Sequence, residues 1–430
     1  MLSSSLPFVA AVVLSIAGLC SSADSEPRIW ALLVAGSNGY YNYRHQADVC
    51  HAYQILHRNG VPDERIVVMM FDDIANSSDN PTKGVIINHP DGSDVYRGVP
   101  KDYTGNDVSP QNFLSILKGD TTALRGIGSG KVIESTPEDH IFVYFADHGA
   151  QGLVAFPNDY LYSTDLVKTL VDMHSNKRYA KLVFYMEACE SGSMFSGLLP
   201  EDINVFATTA SSPDESSYAC YFDDLRQTYL GDVYSVKWME DSDIENLSQE
   251  TLQKQYSIVK AETTTSAVHE YGNLTMGSSF PVSQFQGTKG ATAEKLPRAH
   301  LDATNARDVP VAILRRRIRN SFDEDTRSIL QKDLNQLLRN RIFLRNKVTQ
   351  IAKSLGAAEA LQRKLTLKDH TCYRQAVERF HNICFNLPSN PYSLGFLRTF
   401  TNLCESGVKI GDILSAMDSV CIHPKIVGIV

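Results

Sequence analysis

The sequence predicts an α/β body built on a mostly parallel sheet with helices on both faces, followed by a C-terminal all-α domain. Three observations carry that expectation. Short apolar runs alternate with amphipathic stretches from Arg28 to about Thr209, the order a helix-covered parallel sheet requires. Leu330, Leu334, Leu338, Ile342, Val348, Ile351 and Leu355 recur mostly at three- and four-residue steps, which fits one long amphipathic helix. Charge also divides the chain. Residues 301–430 hold 20 Lys+Arg against 12 Asp+Glu, a net of +8, whereas residues 1–300 carry −16. Opposite signs in one chain predict that the two parts attract each other.

Taken in order, residues 1–23 read as a secretory signal peptide. The uncharged apolar stretch from Leu6 to Leu19, about 14 residues, is too short to span a bilayer, and small residues follow it. No later stretch is long and apolar enough for a membrane helix, so a soluble lumenal or secreted protein without a membrane anchor is expected. Ile29–Ala35 is the first strand candidate, and Gly36-Ser37-Asn38-Gly39 after it is turn-like. A helix is expected over Ala47–Arg58, then strands over Ile66–Phe71 and Ile141–Phe145. A helix over Ser163–Met173 and strands over Leu182–Met186 and Ile203–Thr208 complete the alternation. Asp223–Glu270 is more polar and helical in part, and Gln286–Asp308 has the Gly, Thr, Ala and Pro content of a linker. The expected organisation is thus a body over 28–285, a linker and activation segment over 286–320, and a helical domain over 321–430.

Secretion sets how the cysteines are read. Cys372, Cys384, Cys404 and Cys421 crowd into the last sixty residues and predict two disulfides, with three pairings open. Cys50, Cys189 and Cys220 are odd in number, so at least one thiol stays free. Asn76, Asn246 and Asn273 each open an Asn-x-Ser/Thr sequon, a glycosylation acceptor. A disulfide-bonded, secreted segment counts against nucleic acid as the partner of the basic part. Gly126-Ile-Gly-Ser-Gly130 follows no strand and opens no helix, which counts against nucleotide binding. The twelve histidines form no Cys-x-x-Cys or His-x-x-x-His spacing, so no metal and no cofactor are expected.

Two strand ends carry the chemistry. His148 closes the run His140–His148 and Cys189 closes Lys181–Cys189, and each is followed at once by glycine or serine. If the strands are parallel neighbours, roughly 4.8 Å apart, thiol and imidazole emerge on the same carboxyl-end rim. A thiol near imidazole yields a thiolate nucleophile and a general acid for the leaving amine, which predicts a cysteine hydrolase.

VAGSNGYYNYRHQADVCHAYQ (34–54), YFADHGAQG (144–152), FYMEACESGS (184–193), SSYAC (216–220) and YLGDVYSVKWMEDSD (229–243) resemble the legumain family, the asparaginyl endopeptidases of the caspase-like clan of cysteine peptidases. The resemblance runs over nearly the whole chain, and poorly only over 278–305. It implies a caspase-like sheet, His148 as general base and acid, Cys189 as nucleophile and Asn42 as the residue orienting the histidine. The backbone N–H groups of Gly149 and Cys189 would form the oxyanion hole. It further implies a specificity pocket of Arg44, His45, Glu187, Ser217 and Asp232. An asparagine side chain offers one acceptor and one NH₂, so guanidinium on one side and carboxylates on the other satisfy both ends. Glu187 should share a face with Cys189, and Glu190 should point away. The helical domain is implied to be a prodomain that covers the site, with pairings Cys372–Cys404 and Cys384–Cys421. Processing is expected after Asn320, which follows the basic run Arg315–Arg319. Where some family members carry Arg-Gly-Asp, this chain has Lys118-Gly119-Asp120, which counts against adhesion through that tripeptide.

The expected activity is hydrolysis after asparagine, and after aspartate at more acid pH, by a zymogen of the secretory pathway, lysosomal, endosomal or secreted. Protein and peptide substrates, the chain's own prodomain as inhibitor, and cystatin-type inhibitors are the expected partners. Two alternatives stand beside it: a peptide ligase or transamidase using the same thioester, and a helical domain that acts as an inhibitory module in its own right.

Overall fold

The computed structural model describes residues 27–288, 296–297 and 299–430; the expected signal peptide lies outside them. Twelve strands are described: β1 (Ile29–Ala35), β2 (Ile66–Met69), β3 (His140–Ala146), β4 (Gly149–Ala150), β5 (Leu153–Ala155), β6 (Tyr160–Tyr162), β7 (Lys181–Glu187), β8 (Val205–Thr209), β9 (Tyr218–Asp223), β10 (Thr228–Asp232), β11 (His269–Gly272) and β12 (Thr304–Asn305). Six of them form the main sheet in the order β11-β8-β7-β3-β1-β2, parallel except for β11 at the edge.

Alternation along β1 divides the core. Ala31, Leu33 and Ala35 face one cluster with α1 (Tyr43–Arg58), α4 (Val233–Ile244) and α5 (Leu252–Glu262). Trp30, Leu32 and Val34 face the other, with α2 (Pro110–Lys118) and α3 (Ser163–Ser175). Side chains that alternate faces at each residue make both surfaces apolar, which is why these strands read as continuous hydrophobic runs. The short helices α6 (Thr275–Ser279) and α7 (Ser283–Gln286) complete the body.

Some element ends differ from the expectation. The second strand stops at Met69 rather than Phe71, where Met70 N turns to Tyr103 O at 3.1 Å and Asp72 adopts a φ of 64°. The strand expected from Ile203 starts at Val205, because Asn204 lies in the left-handed region at φ 54°. The first helix begins at Tyr43, four residues before Ala47, because its first turn buries polar residues that hide the apolar period.

The C-terminal part is helical, as expected. It comprises α8 (Val309–Asn320), α9 (Glu324–Ser354), α10 (His370–Arg379), α11 (Arg398–Glu405) and α12 (Ile410–Val420). Cys372 is bonded to Cys404 and Cys384 to Cys421. The last part of the expected linker is therefore a helix. In α9 the buried stripe is Leu334, Leu337, Leu344, Val348 and Ile351, whereas Ile342 is 57% exposed. The helical core continues onto the body: Ala150, Leu153, Ala155 and Tyr162 of the β4–β6 ribbon belong to the same cluster as Leu344, Val348 and Phe380.

Candidate active site

Parallel pairing of β3 with β7 sets Ala146 opposite Glu187, so the two chains leave the sheet side by side. His148 and Cys189 each follow two residues later. Gly149 then passes so close to Cys189 that a Cβ there would sit 2.3 Å from the Cys189 carbonyl oxygen; only glycine lets the strand lie on the Cys189 backbone. The thiol is 1% exposed, and its nearest hydrogen-bonding side chain is Ser217, with Sγ and Oγ 3.9 Å apart.

Asn42 settles the histidine tautomer. Its Nδ2 donates to Asn38 O at 2.9 Å, which leaves Oδ1 to accept from His148 Nε2 at 3.0 Å. The proton of the neutral imidazole is thereby assigned to Nε2, and Nδ1 is the basic nitrogen. Burial, with Arg44 and Arg307 nearby, holds His148 well below its ordinary pKa. Burial pushes the Cys189 thiol up, and Arg307 opposes that shift. Both directions favour a neutral thiol and a neutral imidazole in this closed state.

The expected pocket residues converge. Arg44 is fully buried in the first turn of α1, and its Nε donates to Asp232 Oδ1 at 2.8 Å. Asp232 N donates to Asp48 Oδ2 at 3.2 Å, and Asp48 Oδ1 accepts from Asn88 at 2.7 Å. Glu187 accepts from Ser235 N and Oγ at 3.2 and 3.0 Å, at the start of α4. His45 Nδ1 meets Ser37 Oγ at 2.6 Å, and Nε2 lies 3.5 Å from Asp232. Burial raises Glu187 and Asp48 well above the carboxylate range, and the Asp232 charge adds to both. Three buried atoms among these side chains have no hydrogen-bond partner: Arg44 Nη2, Glu187 Oε1 and Asp232 Oδ2.

Of the described residues, His45, Asp147 and His148 come nearest to a metal-ligand set, with ligand atoms within 4.8 Å of one another. Ser37 and Asn42 already engage one ring nitrogen of each histidine, and the Arg44 charge bears on both rings.

Sequence reasoning missed Asp48, Ser235 and Arg307. Asp48 stands four residues after Arg44 on one helix face, a spacing that could have revealed it. Glu190, expected to point away, is buried at φ 50° and paired with Arg307, whose Nη2 lies 2.5 Å from its carboxylate and 2.9 Å from Gly149 O. The helical domain closes the rim from outside: Tyr373 OH donates to Gln151 O, Gln151 Nε2 to Leu365 O at 3.1 Å, and Lys364 pairs with Asp214 at 2.9 Å. Asn76 and Asn246 are exposed, Asn273 half-buried, and Asn320 is exposed at the end of α8 with Nδ2 on Asp224 Oδ1 at 3.1 Å.

Residues 29–288 match the peptidase C13 family, and residues 332–421 match the legumain prodomain family. The chain is 51% identical over 427 residues to legumain from Homo sapiens, covering 96% of this chain and 98% of that protein. It is 42% identical to the vacuolar-processing enzyme beta-isozyme of Arabidopsis thaliana, over 93% of this chain and 89% of that one. It is also 42% identical to the hemoglobinase of Schistosoma japonicum, over 91% and 92%. The chain belongs to the peptidase C13 family of cysteine peptidases and carries that family's inhibitory prodomain at its C-terminal end.

Proposed function

We propose that the protein is an asparagine-specific endopeptidase, held closed by its helical domain and opened at acid pH. One observation carries the specificity: the pocket's unpartnered buried atoms are one guanidinium donor, Arg44 Nη2, and two carboxylate acceptors, Glu187 Oε1 and Asp232 Oδ2. A primary carboxamide supplies the matching acceptor and two donors. An apolar side chain would leave all three unpaired, which disfavours it by a factor of roughly 10⁴.

In this reading the Cys189 thiol proton passes to His148 Nδ1 and the thiolate attacks the main-chain carbonyl carbon of the asparagine. The oxyanion rests on the N–H groups of Gly149 and Cys189. Collapse breaks the C–N bond, and the leaving amine takes the proton from His148. A water, deprotonated by His148, then hydrolyses the thioester and restores the thiol. Asn42 orients the imidazole throughout.

Aspartate enters the same pocket at lower pH, when its carboxyl is protonated and resembles a carboxamide. The likeness to legumain and vacuolar-processing enzymes supports a secretory-pathway enzyme, lysosomal, endosomal or secreted; in such an enzyme the sequons at Asn76, Asn246 and Asn273 would carry glycans, and cystatin-type proteins would be among its inhibitors. Among the described residues no helix is long and apolar enough to cross a membrane.

A peptide-library digest at about pH 5 after acid treatment tests the reading, since substrate aspartate near its ordinary pKa of about 3.9 is then partly protonated. Cleavage after asparagine, with aspartate joining only as pH falls, is the expected result. Cys189→Ser and His148→Ala should abolish turnover, whereas Cys50→Ser and Cys220→Ser, both buried in the apolar core of the body, should leave it largely intact. Full activity in Cys189→Ser, or equal pH profiles for the two residues, would contradict it.

A further inference from the structure

The linker crosses the catalytic rim as an added strand. Thr304 and Asn305 pair antiparallel with Ala219 and Tyr218, and Ala306 N donates to Ser217 O at 3.0 Å. An extended peptide bound by strand addition would use this same edge. Ala306 brings only a methyl group to the pocket residue Ser217. Asn305 brings no free carboxamide either, since its Oδ1 accepts from Arg307 N at 3.0 Å. The pocket atoms left unpartnered agree with a strand that lies in place and fills no pocket.

The next residue, Arg307, does fill a site. Its Nη2 donates to Gly149 O at 2.9 Å and to Glu190 Oε2 at 2.5 Å, directly beside Cys189. Both acceptors belong to the catalytic body. Glu190 is 9% exposed in the closed chain, and its backbone is held at φ 50° with its N–H on Glu215 O at 2.7 Å, a bond made within the catalytic body. The Glu190 carboxylate and the Gly149 carbonyl converge on one Arg307 nitrogen, so the body presents two acceptors, one of them charged, to a single cationic group. Other charges face it from two sides: Arg398 of α11, and Asp214 on the loop before β9.

What presses Arg307 into the cradle belongs to the helical domain. Arg341 Nη2 donates to Arg307 O at 2.6 Å and Nη1 to Asp308 Oδ1 at 2.9 Å. Gly395 lies so close that a Cβ there would be 3.2 Å from Arg307 Cδ and Nε. When that domain leaves, Arg341, Gly395 and Arg398 leave with it, while Glu190 and the Gly149 carbonyl stay.

We propose that Glu190 and the Gly149 carbonyl form a subsite for a guanidinium or ammonium group on the substrate residue adjacent to the asparagine, and that Arg307 is its built-in ligand in the closed chain. The proposal rests on the reading of Cys189 as nucleophile and of the pocket as an asparagine site.

Full chain held at acid pH until it cleaves an asparagine peptide is assayed at about pH 6, above the ordinary glutamate value of about 4.3, on peptides bearing Arg, Gln or Glu at each neighbour of the asparagine. Arginine at one neighbouring position should raise kcat/KM over glutamine by about tenfold, with glutamate below both. In Glu190→Gln the arginine-to-glutamine ratio should fall to within about twofold. Equal rates for the three peptides, or an arginine preference that survives in Glu190→Gln, would overturn the subsite.

A second arm needs neither turnover nor that variant. In the uncut full chain, Cys189 alkylation by iodoacetamide is followed by mass spectrometry, with the buried Cys50 and Cys220 as internal references. Arg307→Ala should speed it severalfold, Arg307→Lys should not, and methylguanidinium should slow it again in Arg307→Ala alone. No acceleration, or no slowing by methylguanidinium, would also overturn the cradle. Failure to cleave any asparagine peptide would strike at the specificity reading instead, and the alkylation arm would still report on the cradle.

Discussion

In the proposed mechanism Asn42 decides which nitrogen of His148 works as the base. Because its NH₂ is committed to Asn38 O, its carbonyl oxygen is the group that faces Nε2. Asn42→Ala should lower kcat by about one to two orders of magnitude with little change in KM, since the ring loses its orientation and not its chemistry. Asn42→Asp should move the limb of the pH–rate profile set by His148 to higher pH. A carboxylate on Nε2 favours the imidazolium and offsets the burial that now holds His148 low. An unmoved limb with normal thermal stability would leave Asn42 a packing residue only. The two groups proposed to react, His148 and Cys189, were legible in the sequence because each ends an apolar run, and strand ends are where a parallel sheet exposes side chains. Asn42, Arg44 and His45 were not legible from pattern alone. They lie in polar turns and in a helix start whose buried face is charged, so only the resemblance drew them out. Arg307 stayed hidden because its pairing with Glu190, 117 residues away, leaves no periodic trace, whereas only the four-residue step from Arg44 marks Asp48.

At the scale of elements, α8 is where the expectation and the structure differ most usefully. Read as part of a linker and activation segment, residues 309–320 are a helix whose Val309 and Ile313 pack on Ala219 and Tyr229 and whose Val311 packs on Leu334 and Leu337 of α9. Glycine, proline and small residues upstream gave the linker its signal, and the arginines of α8 masked an apolar stripe of only three buried positions. The same masking put Ile342 in the predicted stripe of α9, since a charged helix of 31 residues offers several near-equal apolar lines. The helix constrains how the proposed processing after Asn320 would proceed. Twelve helical residues at about 1.5 Å each set Asn320 about 18 Å from the start of α8, which itself begins beside the rim. Cys189 of the same docked chain therefore does not reach that bond. Processing at acid pH should rise with protein concentration, and wild-type enzyme should cut Cys189→Ser chains after Asn320. Asn320→Gln should block or relocate the cut. A concentration-independent rate at an unchanged position would mean that the chain refolds far enough to cut itself, or that the bond is not the one cleaved.

For the whole molecule, the division of charge between an acidic body and a basic helical domain was visible in composition, but how the two parts adhere was not. Lys364–Asp214 and Arg374–Asp165 are the ion pairs expected from that division, at 2.9 and 2.8 Å. Leu153 and Tyr162 of the body, buried in one cluster with Leu344 and Phe380 of the helical domain, are a second and uncharged attachment. The two respond differently to conditions. The hydrogen bond from Lys364 holds Asp214 below its ordinary pKa. Its contribution to docking is therefore present above about 3.9 and is lost as pH falls through the depressed docked value. Glu190, raised chiefly by burial, runs the other way wherever opening rehydrates it, so it does not drive release in acid. Salt at neutral pH screens exposed pairs, each worth about 0–1 kcal/mol, but leaves the apolar contact intact. Small-angle scattering on full-length Cys189→Ser protein, which cannot cut itself, should show a compact particle at neutral pH that stays compact in molar salt. The particle should expand only as pH falls below about 4, through the depressed value of docked Asp214. Asp214→Asn should make that expansion less steep in pH, because one titrating partner is gone. Full opening by salt alone at neutral pH would mean that charge, and not the shared apolar core, holds the prodomain on the site.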